Sequence, residues 1–303
     1  MRVIFCSEPF APARPDPAYE SELLAAQRVG LESGLINFEA LADDNDPDRA
    51  VRRVAIADAP ELAVYRGWML RPEQYSLLYA ALGQRGLHLI NTPESYRHCH
   101  YLPESYPVIR EYTPRTLSLK LGESFSLAAV MELLEPFGDR LVVLKDYVKS
   151  RKHEWDEACF IPSASDQAAV ERVVNRFIEL QGDQINEGLV FREFVEFEPL
   201  TTHSRSGMPL TKEFRLFFLD GELLYALEYW EEGDYSGSSP PSDLFGEVAR
   251  RVESRFFTMD VARRRDGEWM IVELGDAQVA GLPDNADVTG FYERLKSRSP
   301  QLQ

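Results

Sequence analysis

The segment that most constrains this chain is residues 256–283, with the sequence FFTMDVARRRDGEWMIVELGDAQVAGLP. Two largely apolar stretches flank Asp266-Gly267, the dipeptide that best tolerates the positive φ angles of a two-residue hairpin turn. If these residues form the turn, Asp260 and Glu273 lie directly opposite each other, with Cβ atoms about 4.5–5.5 Å apart. Like charges at that distance repel, and a hard cation such as Mg²⁺ would remove the repulsion. Two solvated carboxylates on an exposed sheet face would give the same spacing.

Length and composition indicate a folded globular protein. The 303 residues suffice for two or three domains, and 44% hydrophobic with 27% charged residues is ordinary composition. The net charge of −17 argues against broad contact with nucleic acid or anionic lipid, because both depend on Lys and Arg to neutralise phosphates. We expect no membrane span and no signal peptide, since no apolar run approaches the required length of about 20 residues. Three scattered cysteines predict no disulfide framework and a reducing cytoplasm.

The first hundred residues alternate strand and helix patterns. Short apolar strands are expected over residues 2–6, 36–40, 61–65 and 87–91. The helix after the first strand is expected to end at Gly34. This order predicts a small parallel, Rossmann-like sheet, although no G-x-G-x-x-G motif marks a dinucleotide site. We therefore expect an α/β domain over residues 1–107 and an α+β domain over residues 108–303.

Residues 91–107 are polar, aromatic and rich in proline, and we interpret them as the crossing between the two domains. Within this segment His98-Cys99-His100 would place both imidazoles on one face of an extended strand, a pattern found in zinc sites. No second ligand pair follows at a suitable spacing. Polar linker residues, or contacts to a substrate at the domain junction, are the favoured interpretation.

Two lysines follow a predicted strand at residues 140–144. In an extended chain Lys145 and Lys149 face the same way, about 13 Å apart at ~3.3 Å per residue, which is comparable to the length of a triphosphate. Ammonium groups suit phosphate oxygens as point charges. A solvated basic loop has the same composition.

Residues 188–199, GLVFREFVEFEP, alternate apolar with charged side chains. Interpreted as a hinge, they would offer backbone groups to an adenine and a carboxylate to ribose hydroxyls. A half-buried strand alternates in the same way.

A second two-residue hairpin turn is predicted at Asp220-Gly221. In this hairpin Glu213 and Arg215 share one face, and Glu228 lies opposite Glu213. The charged pattern alone leaves the role of that face open.

The order of these pieces resembles an ATP-grasp enzyme, and more narrowly the ATP-grasp clade named for one arginine and two lysines. The pieces are a lysine-ending strand with a lid, a charged hinge strand, the hairpin EFRLFFLDGE and the final D…ELGDAQVAGLP segment. The stretches YRGWML at residues 65–70 and LKDYVKSRKHEW at residues 144–155 are the most telling. The resemblance covers nearly the whole chain. It implies a pre-ATP-grasp domain followed by an ATP-grasp domain whose lid region is residues 145–162.

The resemblance also implies ATP and Mg as cofactors and assigns roles to individual residues. Lys145 and Lys149 would bind the α- and β-phosphates. Arg215 would stabilise charge on the γ-phosphate and on an acyl-phosphate intermediate, with Arg192 as a second candidate. The remaining implied site residues are the adenine lining Glu193, Phe194 and Val195, the ribose carboxylates Glu196 and Glu198, and the metal ligands Asp260, Glu273 and Asp276.

Two departures from the family pattern concern the metal and the lid. The superfamily usually has Asn two or three residues after the second metal carboxylate, where this chain has Asp276. No glycine lies between Lys145 and Pro162, although lid glycines are usual. The number of metal ions and the closure of the lid depend on these positions.

The resemblance implies a ligase that joins a carboxylate to an amine through an acyl phosphate and releases ADP. Its substrates would be small-molecule or peptide carboxylates and amines, with no nucleic acid or membrane partner. The alternatives are a nucleotide-binding regulatory protein without ligase turnover and a phosphotransferase. Neither the substrates nor the oligomeric state follow from the sequence.

Overall fold

The first part of the chain forms an α/β unit around a mainly parallel sheet. The computed structural model describes residues 1–122, 125–202, 204, 209–283 and 285–298. The strands of this unit are β1 (Arg2–Glu8), β2 (Ala11–Pro15), β3 (Glu32–Ile36), β4 (Glu61–Arg66) and β5 (Leu87–Leu89). Its helices are α1 (Glu20–Arg28), α2 (Phe38–Ala42), α3 (Pro47–Val51) and α4 (Pro72–Gly83), with a 3₁₀ turn at Pro17–Tyr19. β1 pairs in parallel with β3 and β4, and β4 pairs in parallel with β5, as predicted.

The second strand lies earlier than predicted. α1 ends at Arg28, and Gly30 adopts a φ of 78°, the left-handed conformation that commonly ends a helix. β3 therefore begins at Glu32, so Gly34 lies inside a strand. The prediction of a helix end at Gly34 is wrong, because Gly30, four residues earlier, already ends the helix.

The predicted crossing at residues 91–107 consists mostly of two helices, α5 (Pro93–His100) and α6 (Leu102–Ile109). The Thr92 hydroxyl accepts a hydrogen bond from the Ser95 amide at 3.2 Å and so caps the start of α5. Proline at the first helical position favours a helix start at the same place. The histidines of this segment therefore lie on a helix, and the strand geometry assumed for a zinc pattern is wrong. The Thr-Pro signal in the sequence points to this helix.

The second part of the chain contains two antiparallel four-stranded sheets, which confirms the α+β prediction. Its strands are β6 (Thr116–Lys120), β7 (Val142–Asp146), β8 (Phe160–Ile161), β9 (Gly188–Glu193), β10 (Pro199–Thr202), β11 (Pro209–Thr211), β12 (Glu213–Leu219), β13 (Glu222–Glu228), β14 (Phe256–Arg263) and β15 (Trp269–Asp276). The helices are α7 (Leu127–Leu134), α8 (Trp155–Ala158), α9 (Gln167–Gln181), α10 (Ser242–Ala249) and α11 (Val288–Arg298), with 3₁₀ turns at Glu135–Phe137, Lys152–Glu154 and Gly182–Gln184. The strand orders are β6-β9-β7-β8 and β13-β12-β14-β15, and β10 and β11 form a separate ribbon.

Three apolar cores hold these layers together. The first lies around the parallel sheet and includes Phe291 and Tyr292 of α11. The second packs α5 and α6 beneath the β12–β15 sheet, and the third lies between the β6–β9 sheet and the helices α7 and α9. Because the first two cores draw residues from both sides of position 107, the expected domain boundary stays a prediction. None of the helices in the described ranges has the length and apolar character that crossing a bilayer requires.

The β14–β15 hairpin pairs Asp260 with Glu273, as predicted, but the turn differs. Residues 264–268 form the loop, and Gly267 alone of the Asp-Gly pair has a positive φ, of 96°. The longer loop shifts the pairing by one residue, and a β-bulge that leaves Val272 without a ladder partner shifts it back. The predicted two-residue turn is therefore wrong, whereas the predicted pair is right.

The β12–β13 hairpin shows the opposite outcome. Asp220 and Gly221 have φ values of 50° and 78°, which confirms the two-residue turn. A bulge leaves Leu224, buried in the first core, without a ladder partner. Glu228 consequently faces Phe214, and the predicted pairing of Glu228 with Glu213 is wrong.

Candidate active site

The candidate active site lies on one face of the β12–β15 sheet, where the end of β7 meets it. Arg215 on β12 is in register with Asp260 on β14, which is in register with Glu273 on β15. Cross-strand partners share a face, so these three side chains project together. Lys145, at the end of β7 in the other sheet, forms a salt bridge with Glu273. We call Lys145, Arg215, Asp260 and Glu273 the cation-rich face, because lysines of the lid region lie beside it.

Arg215 and Asp260 form a bidentate ion pair. The Arg215 Nε and Nη2 atoms donate to the two Asp260 oxygens at 2.8 and 2.7 Å. The guanidinium also stacks over the Tyr229 ring at 4.6 Å and donates to the Gly281 carbonyl at 3.2 Å. Burial lowers the pKa of Arg215, but the charge of Asp260 outweighs it and the pKa lies above the usual value. The pair is thus fixed in geometry and in charge.

Lys145 and Glu273 form the second pair of the cation-rich face. Lys145 is buried, whereas 41% of the Glu273 side chain surface is exposed. Burial raises the pKa of Glu273, but the ammonium group of Lys145 outweighs it, so the pKa lies below the usual value. Glu273 is therefore an ionised carboxylate with an oxygen available to a ligand that enters from solvent.

The residues present fit a divalent cation and a polyphosphate. Asp260 and Glu273 offer the hard carboxylate oxygens that Mg²⁺ prefers, and each is paired with a cation. If a metal ion took the carboxylates, Lys145 and Arg215 would be released to phosphate oxygens. The arrangement can therefore exchange ion pairs within the protein for ion pairs with a metal–phosphate ligand.

Asp276 lies on the opposite face of β15 from Glu273, since it pairs with Phe257 rather than Asp260. It is fully buried, and it accepts from Asn91 Nδ2 at 2.6 Å and from the Gln278 amide at 2.9 Å. Burial raises the pKa of Asp276 to about 7. The structure does not bring it together with the other two carboxylates, and its role in metal binding stays a prediction.

No group of three or more His, Cys, Asp or Glu side chains within the described ranges is arranged to hold a metal ion. The pair across the β14–β15 ladder accordingly needs oxygens from a ligand to complete a metal site. Phosphate oxygens are the usual complement of one or two carboxylates around Mg²⁺.

The lysines of the lid region do not follow an extended chain. The Asp146 amide donates to the Lys149 carbonyl at 2.8 Å, and Asp146 Oδ1 accepts from the Val148 amide at 2.7 Å, so the chain turns back. The prediction of an extended spacing between Lys145 and Lys149 is wrong for this reason. Lys149 is exposed, and its ammonium group has no ion-pair or hydrogen-bond partner among the described residues.

Sequence reasoning missed Lys152, which follows in the same loop. Desolvation lowers its pKa, but the carboxylates of Glu213 and Glu273 and the neighbouring Asp260 raise it overall. Burial raises the pKa of Glu213 in turn, against the charge of Lys152. Lys152, which is exposed in the loop, thus interacts electrostatically with carboxylates of the cation-rich face, and its only sequence signal is the short repeat of basic residues in KSRK.

His100 at the end of α5 also lies near this face. Its ring stacks on Tyr96, with centroids 4.9 Å apart, and the side chain is buried. Burial lowers its pKa to about 4, with Glu273, Lys149 and Lys145 among the nearest charges. The imidazole is therefore neutral at pH 7 at the junction of the two parts of the chain.

The predicted adenine lining begins at the end of β9. Phe194 packs edge-on against Trp155 and Phe160, with ring centroids 6.0 and 5.5 Å apart. The Glu193 side chain lies 3.3 Å from the Arg140 guanidinium. No hydrogen bond in the described part of the chain engages Val195. An aromatic cluster beside free backbone donor and acceptor groups suits the edge and face of a purine.

The predicted ribose carboxylates are both paired with cations. Glu196 lies 3.2 Å from Arg265, and Glu198 lies 2.6 Å from Arg263 and 3.5 Å from Lys212. The Arg263 guanidinium holds the pKa of Glu198 below its usual value, although desolvation opposes this. Whether either carboxylate meets a ribose stays a prediction.

Arg192 on β9 contacts no carboxylate oxygen of the described residues. It donates to the carbonyl of Val272 and to the hydroxyl of Thr113, both at 2.8 Å. Its predicted role as a second phosphate contact is not tested by this arrangement.

Comparison with known proteins assigns the chain to a family. The family described as ATP-grasp domain, R2K clade family 3, matches residues 136–295, slightly more than half of the chain. Searching the curated proteins with the sequence gives no match.

Solved structures with the same fold cover nearly the whole chain. A RimK domain protein ATP-grasp from Sphaerobacter thermophilus is 16% identical, covering 96% of this chain and 98% of that chain, with a TM-score of 0.56. D-cycloserine synthetase DcsG is 16% identical, covering 98% and 99%, with a TM-score of 0.58. The ATP-grasp ligase PsnB, complexed with minimal precursor, Mg and ADP, is 13% identical, covering 98% and 97%, with a TM-score of 0.57. At these identities the likeness shows the fold alone.

Proposed function

The chain belongs to the R2K clade of ATP-grasp domains, family 3, and we propose that it is an ATP- and Mg-dependent ligase that joins a carboxylate to an amine and releases ADP. One observation carries the proposal. In a protein of net charge −17, the ion pairs Arg215–Asp260 and Lys145–Glu273 stand side by side on one sheet face, with Lys149 and Lys152 nearby. The similar fold of PsnB, solved with Mg and ADP, supports this assignment.

In the proposed complex Lys145 and Lys149 bind the α- and β-phosphates of ATP. Lys149 has no protein partner among the described residues, so it loses nothing on binding a phosphate. The adenine would lie against Phe194, with its edge at the free backbone groups of Val195. Glu193 completes the adenine lining.

The ribose would meet Glu196 or Glu198 at the end of the same hinge segment. Both carboxylates are held by arginines, which would orient them as acceptors for ribose hydroxyls.

Asp260 and Glu273 would hold Mg together with phosphate oxygens. The metal would supply neutralisation of the charge that moves during phosphoryl transfer. Asp276 would join them only after leaving Asn91 and Gln278, so the proposed site rests on two protein carboxylates.

The proposed chemistry has two steps. A carboxylate oxygen of the first substrate attacks the γ-phosphorus of ATP, the bond from this phosphorus to the β,γ-bridging oxygen breaks, and ADP leaves. The amine of the second substrate then attacks the carbonyl carbon of the acyl phosphate, inorganic phosphate leaves, and the nitrogen loses a proton. Arg215, fixed by Asp260 and Tyr229, would neutralise the negative charge that develops at the transferred phosphoryl group.

The proposed substrates are a small-molecule or peptide carboxylate and an amine. They would enter between the lid region and the α/β unit, where His100 is neutral and close to the lysines. A cytoplasmic setting is proposed as well, because all three cysteines are buried free thiols.

Turnover of Mg-ATP in the presence of pooled amino acids, peptides and small carboxylates tests the proposal. Chromatography should show ADP and phosphate that depend on one pool, with an amide product by mass spectrometry. AMP would contradict the acyl-phosphate route, and a stable phosphorylated product would indicate a phosphotransferase. Nucleotide binding without turnover in any pool would favour the regulatory alternative.

A further inference from the structure

A β-bulge lies in β15 next to Glu273, beside the cation-rich face. β15 pairs Ile271 with Val261 and Glu273 with Asp260, so Val272 is one residue more than the ladder needs. Without that extra residue Val272 would face Asp260. A slip of one residue turns every following side chain to the other face, so Glu273 would point toward the apolar core.

Two hydrogen bonds hold the strand at the residue just before the bulge. Ile271 donates its amide to the Tyr112 carbonyl at 2.6 Å, and its carbonyl accepts from the Thr113 hydroxyl at 2.8 Å. These bonds fix Ile271 opposite Val261. The next residue must therefore bulge if Glu273 is to reach the face of Asp260.

Arg192 supplies the partner that the bulged residue lacks in the ladder. Its Nη1 donates to the carbonyl of Val272 at 2.8 Å, and its Nη2 donates to the hydroxyl of Thr113 at 2.8 Å. An unpaired carbonyl shielded from water would cost about 1–3 kcal/mol, which would favour the register without a bulge. One guanidinium thus ties the strand β9, the linker at Thr113 and the bulge together.

The Arg192 side chain forms no other hydrogen bond among the described residues. Its Nε is shielded from solvent and has no hydrogen-bond partner among the described residues. Burial lowers the pKa of Arg192, and Glu273 is the principal charge that opposes this. Two of its three nitrogens are thus bonded to a backbone and a hydroxyl oxygen, with Glu273 as the electrostatic neighbour of the side chain.

We infer that Arg192 is a positioning residue, which acts through the carbonyl of Val272 and with Thr113 to hold Glu273 on the face of Asp260. The metal-binding part of this inference rests on the proposed function of Glu273, whereas the structural part does not. Arg192 would then affect the metal without touching it or the nucleotide.

Hydrogen–deuterium exchange of the ligand-free full chain tests the structural part. In Arg192→Met, peptides covering residues 269–276 should exchange at least severalfold faster, while β12 and β13 stay unchanged. Thr113→Val, which is nearly isosteric, should act in the same direction with a smaller effect, and it serves if Arg192→Met does not fold. Arg115→Met is the matched control, because this arginine donates to a backbone carbonyl, that of Pro136, at the surface; it should leave residues 269–276 unchanged.

Metal binding then separates positioning from phosphate contact. Mn²⁺ binding to the ADP complex, followed by electron paramagnetic resonance, should weaken about 10- to 100-fold in Arg192→Met. ADP binding without metal should change less than about twofold, and Arg192→Lys, which can still reach one oxygen, should recover part of the metal affinity. Unchanged exchange at residues 269–276, or a loss of metal-free ADP binding, would overturn the inference. If the wild-type protein bound no Mn-ADP, the proposed function would fail while the exchange result still decided the role of Arg192.

Discussion

Two arginine–carboxylate centres in this molecule use the same chemistry for different ends. In the α/β unit, Arg66 donates to both oxygens of Glu22 at 2.8 and 2.9 Å and to the carbonyls of Ala277 and Ala280, and Tyr292 donates to Glu22 at 2.6 Å. We call Arg66, Glu22 and Tyr292 the buried centre. Arg66 is fully buried and nearly all of its donors are used.

The cation-rich face is also held by ion pairs, but with Lys149 and Lys152 beside it the cations outnumber the carboxylates of Asp260 and Glu273. Lys145 has one acceptor, and Lys149 has none among the described residues. Glu273 is substantially exposed to solvent. An ion pair whose donors are nearly all used, and which water cannot reach, contributes only to the stability of the folded state. An ion pair that has unused donors and that water can reach can exchange its partner for a ligand. The contrast indicates that Arg66 is structural and that Arg215 belongs to a ligand site.

Glu273→Ala should produce the largest effect and should separate the two centres most clearly. Metal-dependent turnover should fall at least about a thousandfold, or about 4 kcal/mol, because one of two metal carboxylates is lost. The free energy of unfolding should fall by about 1–2 kcal/mol, because the buried Lys145 loses its one acceptor, while water can replace a carboxylate whose side chain surface is 41% exposed. Turnover assays and urea unfolding measure the two quantities. Activity within tenfold of the wild type would remove Glu273 from the metal site.

Arg66→Met should do the reverse. It leaves the Glu22 carboxylate buried without its partner, so the free energy of unfolding should fall by about 3 kcal/mol, the lower end of the range for a broken buried pair. Turnover per folded molecule should change little. Arg66→Met combined with Glu22→Gln removes both charges and should regain part of the loss in denaturant titrations. Equal destabilisation in the single and double variants would contradict the account of the buried centre.

The pH dependence of stability should report on Asp276, which lies between the two centres. Burial raises its pKa to about 7 in the folded state, whereas an unfolded chain has the ordinary value near 4. The folded state therefore holds a proton that the unfolded state has lost, and this contribution to stability is full below pH 4 and disappears as the pH rises through 7. Between pH 5 and 7 the free energy of unfolding should fall by about 2 kcal/mol on this account, at 1.36 kcal/mol per unit.

Asp276→Asn should remove that decline when unfolding is followed by circular dichroism across the same range. If the variant kept the wild-type dependence of the free energy of unfolding on pH, another group would be responsible, and Asp276 would not titrate near neutral pH.

Lys149→Met should give the smallest effect. ADP affinity should fall about tenfold, or 1.4 kcal/mol, because one unpaired phosphate ligand is removed. Stability should not change measurably, since Lys149 has no partner among the described residues to lose. Lys120→Met, at an exposed lysine 3.3 Å from Glu187, is the matched control and should bind ADP normally in calorimetry. Equal losses in both variants would indicate a nonspecific charge effect.

Much of the fold and part of the site were predictable from local patterns. The parallel sheet of the α/β unit and the antiparallel sheets after it follow from strand periodicity, whereas the pairing of Asp260 with Glu273 was predicted correctly from a turn that does not form. Thr92 and Pro93 also indicate the start of helix α5, but the polar composition of the segment favoured an irregular crossing between domains. Lys152 gave no comparable signal, because a basic loop does not indicate which of its lysines interacts with carboxylates on a distant strand.

The two hairpins show what the sequence by itself determined and what it did not. At Asp220-Gly221 the turn depends on backbone conformations available to those two residues, so local chemistry was sufficient. At Asp266-Gly267 the same signal was overridden, and the loop and the bulge at Val272 compensate each other. The bulge is held by Arg192, 80 positions away, and Glu273 is held by Lys145, 128 positions away. Turn preference is a property of neighbouring residues, whereas register and the charge around a site depend on donors that only the tertiary structure brings into contact.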